Sequence, residues 1–233
     1  MKDISKFVGK EKYTVDELVE ILKVLRSPEG CPWDREQDHK SIRRDFLEEC
    51  YEAIEAIDTE NSELLREELG DVLLQVVFHS TIEEEAGRFD FYDVASDVAK
   101  KMVVRHPHVF ADVKADTTDE VLTNWDQIKR ETKQQKSNRE VLQSVSPAMP
   151  ALMRSQKVRK KAYKMGCESG SIDEVRARIC ESVNGAGQDN AAELLGKALF
   201  DMTELARQLG VDAERALFET CRDYIEQFEV SEE

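Results

Sequence analysis

A chain of 233 residues that is 40% hydrophobic and 35% charged can build a core, as one large or two small domains. Its net charge of −16 excludes a general binder of nucleic-acid polymers or of anionic membranes, whose charge has the same sign. Five scattered cysteines without a CxxC pair argue against a zinc site or a disulfide framework and fit reduced thiols in the cytoplasm.

Residues 1–7 are charged and lack the apolar stretch of a secretory leader, and no apolar run approaches the roughly 20 residues of a membrane span. A cytoplasmic protein is expected. The first 12 residues are polar and expected to fray. Thr14 and Glu17 have the spacing of a capping box and open a helix to about Arg26, with Leu18, Ile21, Leu22 and Leu25 on one face. Ser27-Pro28-Glu29-Gly30 ends it. A compact loop, Cys31-Pro32-Trp33-Asp34, follows, in which Trp33 is either a packing anchor or a ligand contact. A second helix over about 41–58 and a third over about 63–86 are joined by a short turn, so they are expected to be antiparallel neighbours.

These two helices carry the chemistry. Glu49 and Glu52 stand three residues apart on one, Glu68 and Asp71 on the other, and residues i and i+3 share a helix face. From Leu64 to Ile82 the third helix is apolar nearly all round, the pattern of an interior helix. One narrow polar stripe interrupts it: Glu68, Asp71 and Gln75. On the preceding helix the apolar arc is Ile42, Phe46, Leu47, Cys50, Ala53, Ile54 and Ile57, with Glu49 at its edge and Glu52 a little beyond. Ala56 leaves space beside the carboxylates, and Gly70 is expected to allow close helix approach. Two like charges ~4 Å apart repel by about 4 kcal/mol at an effective dielectric of ~20, against a few tenths on an exposed helix. A half-buried tetrad therefore needs protonation or a cation. All-oxygen ligands favour Mg²⁺, Mn²⁺ or Ca²⁺. The plain alternative, acidic rims of amphipathic helices, is weakened by the stripe inside an apolar helix. A di-iron carboxylate bundle wants Glu-x-x-His on two helices, and neither Glu55 nor Asp71 is a histidine.

Asp90 caps a fourth helix over about 91–105, whose last turns carry Lys100, Lys101 and Arg105. These either complement the helix dipole or clamp phosphate. His106 and His108 flank Pro107 at a spacing unlike that of a helical zinc site. A helix over about 119–134 offers Trp125 and Lys129, four apart, either as a stacking face and a charge for a nucleotide or as a core Trp beside a solvated Lys. Residues 136–150 read as a linker punctuated by Pro147 and Pro150. A basic helix over about 151–165 reads as a solvated face, and three more helices follow at about 171–184, 190–209 and 212–229. Leu69-Gly70-Asp71-Val72-Leu73-Leu74 is echoed by Leu195-Gly196-Lys197-Ala198-Leu199-Phe200, and Arg178-Ile179-Cys180-Glu181 takes the place of Glu49-Cys50-Tyr51-Glu52. Asp223 and Gln227 fall opposite Lys101 and Arg105. The expected architecture is an all-α helical bundle in two tandem related modules, at 12–135 and 151–233. The second is degenerate: it keeps its apolar spacing and loses ligands and clamp.

The pattern Glu48-Glu49-x-x-Glu52 followed by Glu68-x-x-Asp71 resembles the MazG group of all-α nucleoside triphosphate pyrophosphohydrolases. Gly30-Cys31-Pro32-Trp33-Asp34 before it, and Arg105-His106-Pro107-His108-Val109-Phe110 and Asn124-Trp125-Asp126-Gln127-Ile128-Lys129 after it, fall in the same order. The resemblance is close over residues 12–135 and loose beyond. It implies hydrolysis of a ribo- or deoxynucleoside triphosphate to monophosphate and pyrophosphate, in nucleotide-pool housekeeping, by a homodimer. It further implies that Glu49, Glu52, Glu68 and Asp71 hold one or more Mg²⁺ ions, with Mn²⁺ as a possible substitute. Glu48 or Glu67 would orient or deprotonate the water, Lys101 and Arg105 would neutralise the leaving pyrophosphate, and Trp33, Trp125 and Lys129 would meet the nucleoside. MazG proteins commonly carry two such modules, so the degenerate second half departs from the pattern. The rival is an inactive helical protein that binds nucleotides or a partner, against which the intact tetrad weighs.

Overall fold

A computed structural model describes residues 4–114, 117–132 and 137–229. The fold is all-α, and no strand occurs among the described residues. The helices are α1 (Val15–Leu25), α2 (Pro32–Glu36), α3 (Arg43–Asp58), α4 (Ser62–Glu85), α5 (Phe91–Arg105), α6 (Pro107–Phe110), α7 (Thr118–Thr132), α8 (Asn138–Gln143), α9 (Ala151–Lys164), α10 (Ile172–Gly185), α11 (Ala191–Gln208) and α12 (Ala213–Glu229). The chain forms two compact units that divide between Val121 and Leu122, inside α7.

In the first unit α4 is the central helix, with α1, α3 and α5 each packed on it. The Thr14–Glu17 capping box forms as expected, and an Asp90–Asp93 box opens α5. Val19 and Leu22 of α1, Ile42, and Val77 and Phe78 of α4 are buried together, with Leu18, Leu73, Leu74, Ile82 and Phe91 around them. Arg26, buried at the end of α1, lies over the Phe78 ring at 5.2 Å and donates to both carboxylate oxygens of Glu85 at 2.7 and 2.8 Å. It also donates to the carbonyls of Asp34 and Gln37, which fastens the 31–37 segment to α1 and α4. Trp33 in that segment is 59% exposed, so it is not a packing anchor. Residues 4–12 do not fray as expected. A 3-10 turn spans Ser5–Phe7, Tyr13 donates to the Phe7 carbonyl at 2.6 Å, and Lys6 and Lys10 pair with Glu20 and Glu17 of α1.

The turn from α3 to α4 sets the site. The Asn61 amide donates back to the Ala56 carbonyl at 3.0 Å, and the Asn61 side chain accepts from the Leu64 amide. Glu60, between them, takes φ 53°, the left-handed region that favours glycine. Ala53 and Ala56 are the buried residues of α3, and small side chains there let the helix lie close on α4. Gly70 plays no such part, because nothing lies within 4 Å of where its Cβ would stand. The expected inward arc of α3 is only half used: Leu47, Ile54 and Ile57 are exposed. Among the described residues, α4 covers one stripe of α3 and leaves these three side chains open.

In the second unit α11 is central, with α9, α10 and α12 packed on it. The stretch expected as a linker contains α8, opened by a Ser137–Glu140 capping box. Val141 and Val145 are buried, and Lys161 of α9 donates to the Val141 carbonyl at 3.1 Å and to Ser144 Oγ at 2.8 Å. The polar residues of that box had the composition of a loop. The apolar spacing of α11 also misleads, since Leu195, Leu199, Phe200 and Met202 are exposed. Its inner face is polar. Asp201 meets Arg159 at 2.7 Å and Arg178 at 3.3 Å, and Thr203 bonds Ser155. Glu204 is fully buried; burial alone would push its pKa up, but hydrogen bonds with Arg207, Gln208 and Ser169 prevail and hold it down at about 2.

Glu60→Gly is expected to stabilise the protein by up to about 1 kcal/mol, by relieving the left-handed turn at the end of α3. A rightward shift of the urea midpoint with unchanged slope checks it, and a destabilised variant would mean that the turn carries no strain.

Candidate metal centre

Burial on α4 places the two carboxylates of the polar stripe against α3. Glu68 is buried, while Asp71 and Glu49 are half-buried. Oxygens of Glu49, Glu68 and Asp71 all lie within 4.8 Å of one another. At that distance each charge pair costs about 3.5 kcal/mol at an effective dielectric of ~20, too much for three free carboxylates on a marginally stable fold. The pKa directions agree. Burial raises Glu49, and the charges of Asp71, Glu52 and Glu68 and a hydrogen bond with Glu52 raise it further. Burial also raises Glu68, with the charges of Glu52, Asp71 and Glu67 and a hydrogen bond with Glu52 adding to it. Glu52, though exposed, therefore touches the cluster from its rim.

These donors fit a hard divalent cation: every candidate ligand atom is a carboxylate oxygen, and their mutual repulsion is what such an ion relieves. Among the described residues this is the one grouping of three or more His, Cys, Asp or Glu side chains with that spacing.

The other expected site residues are spread more widely. Glu48 is exposed and accepts from Arg44 at 2.9 Å, one turn back on α3. Glu67 is exposed, and its charge reaches Glu68. Lys101 is exposed on α5, and Arg105, in the last turn of that helix, is buried. Trp33 presents its ring to solvent from α2. Trp125 and Lys129 are half-buried on α7, beyond the division between the units.

The stripe on α4 runs further than Gln75. His79, one turn on, shares a 2.8 Å Nδ1–Nδ1 hydrogen bond with His39, whose Nε2 donates to Glu83 at 2.6 Å. Arg88 also donates to Glu83, and its hydrogen bonds, with those of His39, hold that carboxyl at about 2. Burial, then the neighbouring His39, lowers His79. The i, i+4, i+8 spacing of Asp71, Gln75 and His79 was the signal for this continuation.

Comparison with known proteins now gives the geometry a family. The MazG nucleotide pyrophosphohydrolase domain matches residues 37–110, the segment that contains α3, α4 and α5. Over 213 residues, 87% of this chain and 81% of the relative, the sequence is 41% identical to the nucleoside triphosphate pyrophosphohydrolase of Escherichia coli strain K12. Over 222 residues, 94% of this chain and 85% of the relative, it is 38% identical to the nucleoside triphosphate pyrophosphohydrolase/pyrophosphatase MazG of Thermotoga maritima. The chain belongs to the MazG nucleotide pyrophosphohydrolase family. Over 140 residues, 60% of this chain and 28% of the relative, it is 48% identical to the uncharacterized protein YabN of Bacillus subtilis. In this MazG chain the oxygen cluster lies inside the matched segment, while the polar core around Asp201 and Glu204 lies outside it.

The raised carboxyls give a pH test. A group whose folded pKa lies above its ordinary value of 4.5 binds protons more tightly in the native state, so its contribution to stability fades as pH rises through the folded pKa. The metal-free melting temperature is expected to fall as pH rises above about 4.5, and saturating Mg²⁺ or Mn²⁺ to flatten that fall. Glu68→Gln should raise the metal-free melting temperature at neutral pH and lose most of the gain from metal; equal gains in both proteins would remove Glu68 from the site.

Proposed function

We propose that this MazG chain, a hydrolase of phosphoric anhydrides, cleaves nucleoside triphosphates between the α and β phosphates in a Mg²⁺-dependent reaction, releasing monophosphate and pyrophosphate. The single observation that carries the reading is the packed set of Glu49, Glu68 and Asp71 oxygens, rimmed by Glu52, in which burial and neighbouring charge raise Glu49 and Glu68. The printed names of the E. coli and T. maritima relatives support the substrate class.

Glu49, Glu52, Glu68 and Asp71 would hold Mg²⁺, or Mn²⁺ in its place. The bound ion supplies charge neutralisation at the phosphate oxygens and lowers the pKa of water in the site. The protein supplies the rest. The oxygen of one water bonds to phosphorus, the α–β bridging bond breaks, and one proton passes to a carboxylate. Glu48 and Glu67, next in sequence to ligands on each helix, are the candidates to receive it. Glu48 would exchange its Arg44 partner to do so; that pair is exposed and worth little. Lys101 and Arg105, on a helix packed against α4, would bear the charge of the leaving pyrophosphate. Trp33, with its ring already open to solvent, would meet the nucleoside.

The second unit is read as a worn duplicate with a structural role. Supporting this, Lys197, which stands where the repeat places Asp71, pairs with Glu193 at 2.6 Å on the surface. A homodimer is supported by the exposed apolar face of Leu47, Ile54 and Ile57 on α3. Light scattering on the purified chain checks it: a dimer that Ile54→Glu converts to a monomer is the expected result, and a monomeric wild type would overturn it. Free cysteines and the charge of −16 support a cytoplasmic enzyme of the nucleotide pool that handles neither nucleic-acid polymers nor membranes. No helix among the described residues is long and apolar enough to cross a membrane.

Product analysis with a panel of ribo- and deoxynucleoside triphosphates, with Mg²⁺ or with EDTA, tests the reaction. Pyrophosphate and monophosphate in the Mg²⁺ arm alone are expected, whereas orthophosphate with diphosphate would refute the cleavage position. Glu52→Gln or Asp71→Asn should lower turnover by about 10²- to 10³-fold with helicity intact, the scale of several kcal/mol of lost charge stabilisation. Lys197→Ala should leave turnover unchanged. No hydrolysis of any nucleotide would make the chain a binding protein.

A further inference from the structure

Gln75, the third member of the polar stripe on α4, has no part in the mechanism above. It is 8% exposed, and its Oε1 is buried without a hydrogen-bond partner. An amide oxygen left in that state is destabilising unless something meets it when the protein works. Gln75 stands one turn beyond Asp71. Side chains on a helix lean back over the preceding turn, so the carboxamide leans toward Asp71 and Glu68.

A separate observation shows what this position faces. When residues 69–74 are matched to 195–200, and 49–52 to 178–181, Gln75 falls on Asp201 and Glu49 falls on Arg178. In the second unit these two positions meet: Arg178 Nη2 lies 3.3 Å from Asp201 Oδ1. Arg159 brings a second guanidinium to the same oxygen at 2.7 Å. The paired helices α10 and α11 therefore bring together side chains at the positions that Glu49 and Gln75 hold on α3 and α4, and Arg159 adds a second positive charge to the pair.

We propose that Gln75 is a further ligand of the metal centre, its Oε1 giving a neutral oxygen to the divalent cation held by Glu49, Glu68 and Asp71. This rests on the metal-centre reading above. A carboxamide suits the place because it adds a hard donor without adding charge to carboxylates that already repel one another. In the second unit the guanidinium groups of Arg159 and Arg178 stand beside Asp201 where the cation would stand beside Gln75, so that unit needs no ion.

The test is Mn²⁺ binding to the full-length protein without nucleotide, read from the electron paramagnetic resonance of free Mn²⁺, together with metal-free thermal melting. Gln75→Met keeps the length of the side chain and removes the oxygen. Mn²⁺ affinity is expected to fall about tenfold, while the metal-free melting temperature holds or rises. Gln75→Glu, which restores an oxygen, should recover binding. Asp71→Asn is the control for the underlying centre and should bind Mn²⁺ far more weakly. Unchanged affinity in Gln75→Met, with binding lost in Asp71→Asn, overturns the role of Gln75 and leaves the centre standing. Unchanged affinity in Asp71→Asn overturns the centre itself. Should Gln75→Met fail to fold, Gln75→Asn decides, because it withdraws the oxygen by one methylene; unchanged Mn²⁺ affinity there also overturns the proposal.

Discussion

The mutual repulsion of Glu49, Glu68 and Asp71, held with oxygens within 4.8 Å of one another, is the constraint around which the first unit is arranged. Two helices can keep like charges that close only if something else forbids them to part. Here the C-terminal half of α4 does so: Val77 and Phe78 pack with Val19, Leu22 and Ile42, and Arg26 ties α1 to Glu85 at the end of α4. Burying a Leu- or Phe-sized side chain contributes roughly 1.5–3 kcal/mol, so a handful of them outweighs the repulsion of the cluster. The core, in effect, holds the carboxylate cluster together against its own repulsion. Small residues at Ala53 and Ala56 and the tight turn through Glu60 fix how near the two helices come.

The second unit holds a different balance of charge. Its central helix also has three neighbours, but the acidic groups on its inner face, Asp201 and Glu204, have arginines of their own. Buried carboxylates that are paired and hydrogen-bonded hold a low pKa; those that face only one another hold a raised one. Glu204 and Glu68 show the two cases within one chain. Under the proposed duplication this is the chemical difference between a module that needs an ion and one that carries its own positive charge.

The polar stripe on α4 has two ends with different characters. Toward the N-terminus it is a set of carboxylates without a cationic partner in the cluster. Toward the C-terminus it becomes a closed network, in which His39 and His79 share one hydrogen bond and Glu83 is held by His39 and Arg88. Gln75 lies between them with an unmet oxygen.

The sequence by itself determined the long helices, the capping residues Thr14 and Asp90, the interior character of α4, and the shared faces of Glu49 with Glu52 and of Glu68 with Asp71. All of these follow from spacing along a single helix, where 3.6 residues per turn leave little freedom. What lay beyond it were matters of which surface meets which. Leu47, Ile54 and Ile57 share an apolar arc with buried Ala53, yet only one stripe of that arc finds a neighbour. Gly70 suggested a close approach, and its side of the helix faces open space. The stretch around Ser137 had the composition of a linker and folds as a helix, because Val141 and Val145 find a buried place and Lys161 reaches back to hold it. Only the tertiary structure decided how closely the carboxylates gather, which acidic groups find arginines, and that the Gln75 oxygen has no hydrogen-bond partner. Periodicity states which residues share a face; burial, charge partners and distance depend on the other helix, which lies elsewhere in the chain.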